Sequence, residues 1–199
     1  NSFHINSDVL IPRPDTEILV EQLVNQIPVN SSKSILEIGT GSGCIILSVL
    51  AERKKCYAKA LDISKKALKV AEYNAKIQHL RNRIEFIYSS IDKFYHGKYD
   101  IIISNPPYIK SASIKNLDED IRFYEPRIAL DGGCDGYSLI REIIKKSSYL
   151  LKNGGKLFLE IGFEQLYEVK KLLKKNNFYI NKIVKDIRKI NRCIVSTKI

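Results

Sequence analysis

Residues 99–108 read YDIIISNPPY, and this stretch decides the fold. The apolar run 101–103 lies between polar residues, a pattern that predicts a short buried strand. Pro106 and Pro107 have no backbone N–H and hold φ fixed, so regular structure ends before them. The sequence therefore predicts a rigid loop at the carboxyl end of a buried strand, which is where open α/β sheets bind ligands.

This loop presents three groups that suit a planar NH2 group. The side-chain oxygen of Asn105 and the carbonyl of Pro106 can accept its two hydrogens. Tyr108 can pack on the flat face of the amide or base that carries it. We predict that these three residues are catalytic. A proline-rich turn that packs without a ligand is the alternative interpretation.

A second motif lies in residues 34–43, which read SILEIGTGSG. The first five residues predict a strand, the glycines allow a sharp turn, and an apolar helix follows from Cys44. A dinucleotide loop would need glycine at Cys44, and a Walker loop would need Gly-Lys-Ser/Thr. The spacing instead resembles the S-adenosylmethionine loop of Rossmann-like methyltransferases, with a ligand-free turn as the alternative. The predicted cofactor residues here are Glu37, Gly39, Thr40, Gly41, Ser42 and Gly43.

The strands that follow extend the predicted cofactor site. Residues 57–61 predict the second strand, and Asp62 at its end can accept both ribose hydroxyls or cap the helix that begins near Ser64. Ser90 follows the third strand, where an acid commonly holds the adenine amino group, and Ile91 can pack on the ring. We predict that the remaining cofactor residues are Asp62, Ser90, Ile91 and Asn105.

Two further segments could form the wall of a substrate cleft. Residues 3–17 are stiffened by prolines, Asp15 predicts the N-cap of a helix, and Arg13 and Glu17 could lie near a substrate. The irregular stretch 109–136 contains Glu125, and a loop of this length in a compact domain is usually functional. The alternatives are a plain lead-in segment and a solvated acidic face.

The rest of the chain alternates helices and strands. Residues 137–151 predict an amphipathic helix that is stopped by Asn153-Gly154-Gly155. The elements predicted after it are a strand over 156–161, a helix over 163–175 and a closing strand pair over 178–184 and 193–197. Because no repeat or linker divides the sequence, we predict one doubly wound α/β domain over 1–199, with a lead-in segment and helix over 1–30.

Composition narrows the function classes. The 199 residues are 44% hydrophobic and 28% charged, as in globular proteins, and we expect neither a membrane span nor a signal peptide. The four cysteines are scattered, so we predict no metal site and no disulfide framework, and we expect a cytoplasmic location. The net charge is +11, but only 9 of the 33 basic residues are Arg, the residue preferred for specific phosphate and base recognition. We therefore expect no stable nucleic-acid binding.

Taken together, these motifs give the sequence a family resemblance. It resembles the protein-(glutamine-N5) methyltransferases that modify peptide chain release factors, the PrmC/HemK family. The resemblance covers essentially all 199 residues, and its motifs are LIPRPDTE at 10–17, the glycine loop at 37–43, SNPPY at 104–108 and EPRIALDGG at 125–133. NPPY alone is shared with DNA, RNA and other amino methyltransferases, whereas the first and last motifs are much more specific.

The resemblance implies a Rossmann-like class I methyltransferase: a doubly wound, seven-stranded, mostly parallel sheet with an antiparallel last strand. It implies that residues 39–43 and Asp62 hold S-adenosylmethionine. It also implies that the target glutamine is bound by Asn105, Pro106, Pro107 and Tyr108. From the two segments described above, we predict that Arg13 and Glu125 also lie at the substrate.

The sequence departs from the family in two places. Ser90 stands at the usual acid position, and residues 186–192 keep Asp186 and Arg192 but lack the usual glycine between them. Family members normally carry a small helical domain before the segment that begins at Phe3, and we expect that domain to be absent here.

The implied function is methyl transfer from S-adenosylmethionine to the side-chain amide nitrogen of the glutamine in the GGQ motif of release factors. We expect a monomer whose protein partner is the release factor, and no membrane partner. One alternative is a nucleic-acid amino methyltransferase that holds flipped adenine or guanine on Tyr108 and methylates adenine N6 or guanine N2. The other is a cofactor-binding module without catalysis.

Overall fold

A computed structural model describes residues 2–199; Asn1, the first residue of the predicted domain, lies outside the described residues. Seven strands form one sheet in this part of the chain. They are β1 Ser34–Ile38, β2 Tyr57–Asp62, β3 Ile84–Tyr88, β4 Tyr99–Ser104, β5 Leu151–Glu160, β6 Phe178–Lys185 and β7 Asn191–Lys198.

The strand order is β3-β2-β1-β4-β5-β7-β6. The first five strands in this order pair in parallel, whereas β7 is antiparallel to both β5 and β6. The predicted seven-stranded, mostly parallel sheet with an antiparallel last strand is therefore confirmed. Since β1 and β4 lie side by side at the centre, the loops that leave their carboxyl ends are neighbours.

Helices cover both faces of the sheet. They are α1 Pro14–Gln26, α2 Cys44–Glu52, α3 Lys65–Ile77, α4 Glu119–Tyr124, α5 Ser138–Leu150 and α6 Leu166–Lys175. Ile101 and Ile103 of β4 pack in one core with α1 and α2, while Ile102 packs in the other with α5 and α6. The alternation follows from the two-residue period of a strand, and burial of both faces explains why residues 101–103 of β4 are continuously apolar.

Residues 3–12 form a lead-in segment without helix or strand, and Val9 of this segment packs against Ala67 and Val70 of α3. The buried Asn74 side chain of α3 fixes this segment. Its Oδ1 accepts from the backbone N–H of His4 at 2.8 Å, and its Nδ2 donates to the carbonyls of His4 at 3.0 Å and of Ser42 at 2.9 Å. One amide thus ties the lead-in segment to the glycine loop.

The start of α1 differs from the prediction. Asp15 is not the N-cap; Arg13 occupies that position and Pro14 is the first helical residue. Proline suits this place because its missing N–H would be unpaired there in any case. Asp15 instead lies in the first turn, where a negative charge favours the helix dipole.

The boundary between α5 and β5 also differs. The helix ends at Leu150, and residues 153–155, predicted as its stop, lie inside β5. Pairing with β4 jumps from Leu151 to Lys156, and Gly154 has a φ of 74° within this irregularity. The glycines therefore accommodate a bulge rather than a helix end.

Residues 109–136 are more regular than predicted. They contain α4 and two short 3-10 segments, Ser111–Asn116 and Arg127–Ala129. The helix predicted from residue 163 begins at Leu166. The backbone N–H of Gly162 donates to Gln165 Oε1 at 2.9 Å, and this contact shapes a turn before the helix.

Candidate active site

The glycine loop after β1 has backbone angles that residues with side chains rarely adopt. Gly39, Gly41 and Gly43 have φ values of 73°, 56° and 79°, in the left-handed region that favours glycine. The N–H groups of Gly39 and Thr40 donate to the carbonyl of Leu61 at 2.8 and 3.0 Å. The loop is thereby held against the end of β2.

The three glycines serve two purposes. A Cβ on Gly39 or Gly41 would meet no atom of residues 2–199 within 4 Å, so both positions face open space. A Cβ on Gly43 would lie 3.0 Å from Leu47 Cδ1 and 3.3 Å from Ala71 Cβ. Gly43 therefore allows α2 and α3 to pack closely, while the other two leave room for a ligand.

Asp62 bridges the glycine loop and the start of α3. Its Oδ2 accepts from the N–H of Gly41 at 2.9 Å, and its Oδ1 accepts from the N–H of Ser64 at 2.8 Å. Burial raises the pKa of Asp62 above its ordinary value, although these backbone bonds oppose the shift. The cap of α3 is Ser64, whose Oγ accepts from the N–H of Ala67 at 3.2 Å. Asp62 is therefore not the helix cap.

Glu37 lies beneath the glycine loop and is fully buried. Its Oε2 accepts a hydrogen bond from Thr40 Oγ1, and its Oε1 has no hydrogen-bond partner within residues 2–199. Burial, with a smaller contribution from the charge of Asp62, raises the pKa of Glu37 to about 8. At neutral pH this side chain is therefore mainly protonated.

The first cavity, of about 960 Å³, opens above the glycine loop. Of the predicted cofactor residues, those that line it are Gly39, Thr40, Gly41, Ser42, Asp62, Ile91 and Asn105. Glu37 and Gly43 are not among its lining residues. The lead-in segment supplies another wall through Asp8, Val9, Leu10 and Pro12.

Ser90 is not among the residues that line this cavity, whereas Ser89 is. The Ser90 hydroxyl instead lowers the pKa of the neighbouring Asp92 carboxyl. The structure therefore places Ser89 and Ile91 at the cavity where the sequence analysis expected Ser90.

The second cavity, of about 560 Å³, adjoins the first. Of the predicted substrate residues, those that line it are Arg13, Asn105, Pro106, Pro107 and Tyr108. Leu10, Asn105, Pro107 and Ala129 line both cavities. Asn105 therefore stands where the two spaces meet.

The Asn105 side chain has a defined orientation. Its Nδ2 donates to Thr16 Oγ1 at 3.1 Å. This contact involves the NH2 end of the amide. This arrangement leaves Oδ1 as the end available to a group in the cavities.

Arg13 and Glu125, two predicted substrate residues, bind each other. The Nη2 atom of Arg13 donates to Glu125 Oε1 at 2.5 Å, across 112 positions of sequence. The Glu125 side chain is 2% exposed and that of Arg13 is 38% exposed. The pair therefore joins the lead-in segment to the stretch after α4 and leaves one side of the guanidinium open.

The stretch after α4 packs directly against the NPPY loop. The N–H of Ile109 donates to the carbonyl of Leu130 at 3.1 Å, and that of Gly132 donates to the carbonyl of Ile109 at 2.8 Å. A Cβ on Gly132 would lie 2.8 Å from the Cα of Tyr108 and 2.9 Å from the carbonyl of Pro107. Only glycine fits there, which gives this part of the EPRIALDGG motif a steric reason.

The sequence analysis missed Glu160, the last residue of β5. Its side chain is buried and lines the second cavity. Burial raises its pKa to about 7, partly offset by the nearby polar side chains of Thr16 and Asn105 and by the charge of Arg192. Its Oε2 has no hydrogen-bond partner within residues 2–199. Glu160 follows Leu159, which pairs with Ser104, just before Asn105. A polar residue that ends a buried strand was the available sequence signal.

Arg192 connects this region to a third segment. Its Nε lies 2.9 Å from Asp186 Oδ2 and 3.3 Å from Asp15 Oδ2. Asp186 and Arg192 therefore form an ion pair, and Arg192 also holds the first turn of α1 through Asp15. Charges of Glu160, Arg192 and Asp15 act on Tyr108, whose pKa is raised mainly by burial.

No group of three or more His, Cys, Asp or Glu side chains in residues 2–199 could hold a metal ion. Over the same residues, no helix has the length and apolar character needed to cross a membrane.

Comparison with known proteins supplies the family. The methyltransferase small domain family matches residues 14–121. The chain is 36% identical over 195 residues to the release factor glutamine methyltransferase of Caulobacter vibrioides, covering 98% of this chain and 68% of that protein. It is 40% identical over 200 residues to the protein of the same name from Fusobacterium nucleatum, covering 98% of this chain and 56% of that protein. A methyltransferase structure from Pyrococcus furiosus superposes with a TM-score of 0.72 at 17% identity, covering 98% of this chain and 88% of that one.

The fold, the glycine loop and the NPPY loop define a Rossmann-like class I methyltransferase, an enzyme that carries the methyltransferase small domain. Within that class, the chain belongs to the release factor glutamine methyltransferase family. The predicted family and fold class are both confirmed.

Proposed function

We propose that this chain transfers a methyl group from S-adenosylmethionine to the side-chain nitrogen of a glutamine in the GGQ motif of a peptide chain release factor. The relatives named above carry that activity in their names. The observation that carries the proposal is the position of Asn105, which lines both cavities. One cavity contains the glycine loop, and the other contains the rest of the NPPY loop.

The first cavity fits S-adenosylmethionine. Open space at Gly39 and Gly41 lets a ligand approach the backbone closely. We propose that residues 39–43 and Asp62 bind it, with Asp62 at the ribose hydroxyls and Ile91 against the adenine. When bound, the cofactor supplies an electrophilic methyl group on its sulfonium. Ser89 takes the place that the sequence analysis gave to Ser90 on the adenine side.

The second cavity suits the target glutamine. An amide nitrogen is a poor nucleophile because its lone pair is delocalised. Asn105 Oδ1 and the carbonyl of Pro106 can each accept one of its hydrogens, which orients the nitrogen and favours the positive charge that develops on it. Tyr108 would pack on the face of the same amide. Pro107 keeps the two acceptors at a fixed spacing.

Arg13 and Glu125 would form the rim of this cleft as a pair. Because Glu125 is buried and bound to Arg13, the open side of the guanidinium is the part that can reach the release factor. We propose that Glu125 holds Arg13 in place within the wall of the cleft, and that Arg13 contacts the protein substrate directly.

We further propose that residues 1–199 form the methyltransferase domain, with 1–30 as its lead-in segment and first helix. It would act as a monomer in the cytoplasm, with the release factor as its partner and without stable binding to nucleic acid.

A transfer assay with tritiated S-adenosylmethionine tests the function. Purified release factor, a release factor with its GGQ glutamine changed to alanine, and duplex DNA are offered in parallel. We expect label on the first substrate alone. Label on DNA alone would replace the proposal with the base-methylating alternative, and label on neither protein nor DNA would favour a non-catalytic module.

A further inference from the structure

Tyr108 is enclosed by glycines of two other segments. A Cβ on Gly162, in the turn after β5, would lie 2.7 Å from Tyr108 Cδ2 and 3.2 Å from Tyr108 Cγ. A Cβ on Gly136, in the loop before α5, would lie 2.6 Å from the carbonyl oxygen of Tyr108. One glycine therefore supports an edge of the aromatic ring, and the other supports the backbone of the same residue.

The two glycines are needed for different reasons. Gly136 has a φ of 83°, in the left-handed region that favours glycine. The φ of Gly162 lies outside that region, so its backbone would admit a residue with a side chain. The main obstacle to a side chain at Gly162 is therefore the ring of Tyr108.

The Gln165 side chain joins the two glycine segments. Its Oε1 accepts from the backbone N–H of Gly162 at 2.9 Å, and its Nε2 donates to the carbonyl of Gly136 at 2.9 Å. Gln165 is buried and stands at the N-cap of α6, so this helix anchors both hydrogen bonds. Because one bond needs an acceptor and the other a donor, neither an ionised carboxylate nor an apolar side chain could make both.

We propose that Gln165 is a positioning residue, which holds the Gly136 and Gly162 segments around Tyr108 and so fixes its ring on the face of the substrate amide. The proposal rests on the proposed function for its effect on turnover. Tyr108 lines the second cavity, whereas Gln165 lines neither of the two cavities. Gln165 therefore acts through the ring of Tyr108 and does not touch the substrate.

The backbone of the NPPY loop has separate support. The N–H of Ile109 donates to the carbonyl of Leu130, and the N–H of Gly132 donates to the carbonyl of Ile109. These bonds do not involve Gln165, so its loss should free the ring of Tyr108 more than the loop that carries it. A tilted ring would hold the amide nitrogen out of line with the methyl group, and such misalignment lowers the rate of transfer.

Three variants test the proposal. Gln165→Leu removes both hydrogen bonds at nearly constant volume, and Gly162→Ala keeps Gln165 but presses on the Tyr108 ring. Leu173→Val, further along α6, is the matched control for a buried change on the same helix. We expect the first two to lower kcat by about 10-fold, because even small misplacements of a reacting group are costly. The control should keep its kcat. The Kd for S-adenosylmethionine, measured by calorimetry, should not change in any of the three, since none of these positions lines the first cavity.

A double-mutant cycle with Tyr108→Ala separates positioning from a merely structural role. If Gln165 acts through the ring, Gln165→Leu should lower kcat in the chain that has Tyr108 and should have no further effect on kcat in Tyr108→Ala. Independent losses that multiply in the double variant would overturn the proposal.

The ring signals of Tyr108 give a readout that does not need turnover. In protein with 13C-labelled tyrosine, these NMR signals are identified by their loss in Tyr108→Ala. We expect them to shift in Gln165→Leu and in Gly162→Ala, but not in Leu173→Val. Melting curves show which variants fold, and if Gln165→Leu did not fold, Gln165→Glu would replace it, because it keeps the acceptor and loses the donor.

Unchanged Tyr108 signals or an unchanged kcat in the folded Gln165 variant would overturn the proposal while the proposed function stood. If the wild type transferred no label to release factor, the proposed function would fail. The Tyr108 signals would still decide whether Gln165 fixes that ring.

Discussion

The two walls of the proposed active-site cleft, named the cofactor wall and the substrate wall after the ligands proposed for them, are built in different ways. The cofactor wall, residues 37–43 with Asp62, is mostly backbone, and its shape comes from left-handed glycines held to the end of β2. The substrate wall, residues 105–108 with Arg13, Thr16, Glu125 and Glu160, is held by side-chain pairs between distant segments. Asn105 and Thr16 are 89 positions apart, and Arg13 and Glu125 are 112 apart. A local pattern can therefore reveal the first wall, whereas the second exists only in the folded chain.

The largest expected effect is at the junction of the two walls. Asn105→Ala removes the oxygen that would accept from the glutamine nitrogen, so we expect kcat to fall by at least ~100-fold, as for loss of one preorganised polar partner. The affinity for S-adenosylmethionine should remain largely intact because the glycine loop is untouched. Single-turnover methyl transfer and calorimetry measure the two quantities. Near-normal turnover would contradict the role of Asn105.

A matched pair of glycine substitutions separates ligand space from packing within the cofactor wall. Gly41→Ala adds a methyl group to open space at a φ of 56°, so we expect the Kd for S-adenosylmethionine to rise about 10-fold, the equivalent of ~1.4 kcal/mol. Gly43→Ala instead crowds Leu47 and Ala71, so its main effect should be on thermal stability. Calorimetric binding and melting curves give the comparison. The same loss of affinity in both variants, at equal stability, would argue against an open ligand space at Gly41.

Breaking the Arg13–Glu125 ion pair of the substrate wall should have a smaller effect, confined to the KM for the protein substrate. Glu125→Ala leaves Arg13 without its partner, so we expect the KM for release factor to rise several-fold, on the order of 1 kcal/mol. The KM for S-adenosylmethionine should stay unchanged. A double-mutant cycle, completed by Arg13→Ala and the double variant, measures the coupling free energy between the two residues. Strictly additive effects on KM would mean that the two residues act separately.

The smallest expected effect is on the pH dependence of the free energy of unfolding, measured without bound cofactor, and it comes from Glu37 in the cofactor wall. The pKa of Glu37 is raised from 4.5 to about 8 in the folded chain. Between these values the folded state keeps a proton that the unfolded state has lost. The free energy of unfolding contributed by Glu37 is therefore fully present below about pH 4.5 and is lost as pH rises through about 8, by at most ~1.4 kcal/mol per pH unit.

Urea unfolding at several pH values, without cofactor, measures this slope. Glu37→Gln should flatten it, whereas the matched control Glu85→Gln, at a mostly exposed side chain, should not. Glu160 contributes to the slope in the same direction up to about pH 7. An unchanged slope in Glu37→Gln would show that Glu37 titrates alike in the folded and unfolded chain.

The sequence allowed the strands, the sheet and most of the cofactor wall to be predicted, because each signal lies within a few neighbouring residues. The apolar run before Asn105 is an example: its burial on both faces follows from strand geometry alone. The glycines at 153–155 were placed at a helix end, since a positive φ serves a bulge as well as a helix stop.

The substrate wall was less accessible to such reasoning. Arg13 and Glu125 were each assigned to the substrate, but their mutual ion pair depends on how segments 112 positions apart meet. Glu160 was overlooked because its importance comes from the parallel register that sets it beside Asn105. Ser90 was placed by analogy with an acid, whereas its neighbours Ser89 and Ile91 line the cavity.

The hydrogen bonds of the Asn74 side chain have a kinetic consequence. They hold the lead-in segment to the glycine loop. That segment lines the cofactor cavity through Leu10, and further along the chain it supplies Arg13 and Thr16 to the substrate wall. Occupation of the cofactor cavity should therefore order the surface on which the release factor docks. We expect a compulsory binding order, with S-adenosylmethionine first and S-adenosylhomocysteine last to leave. Product inhibition by S-adenosylhomocysteine should be competitive against the cofactor and noncompetitive against the release factor; competition with both would indicate random order.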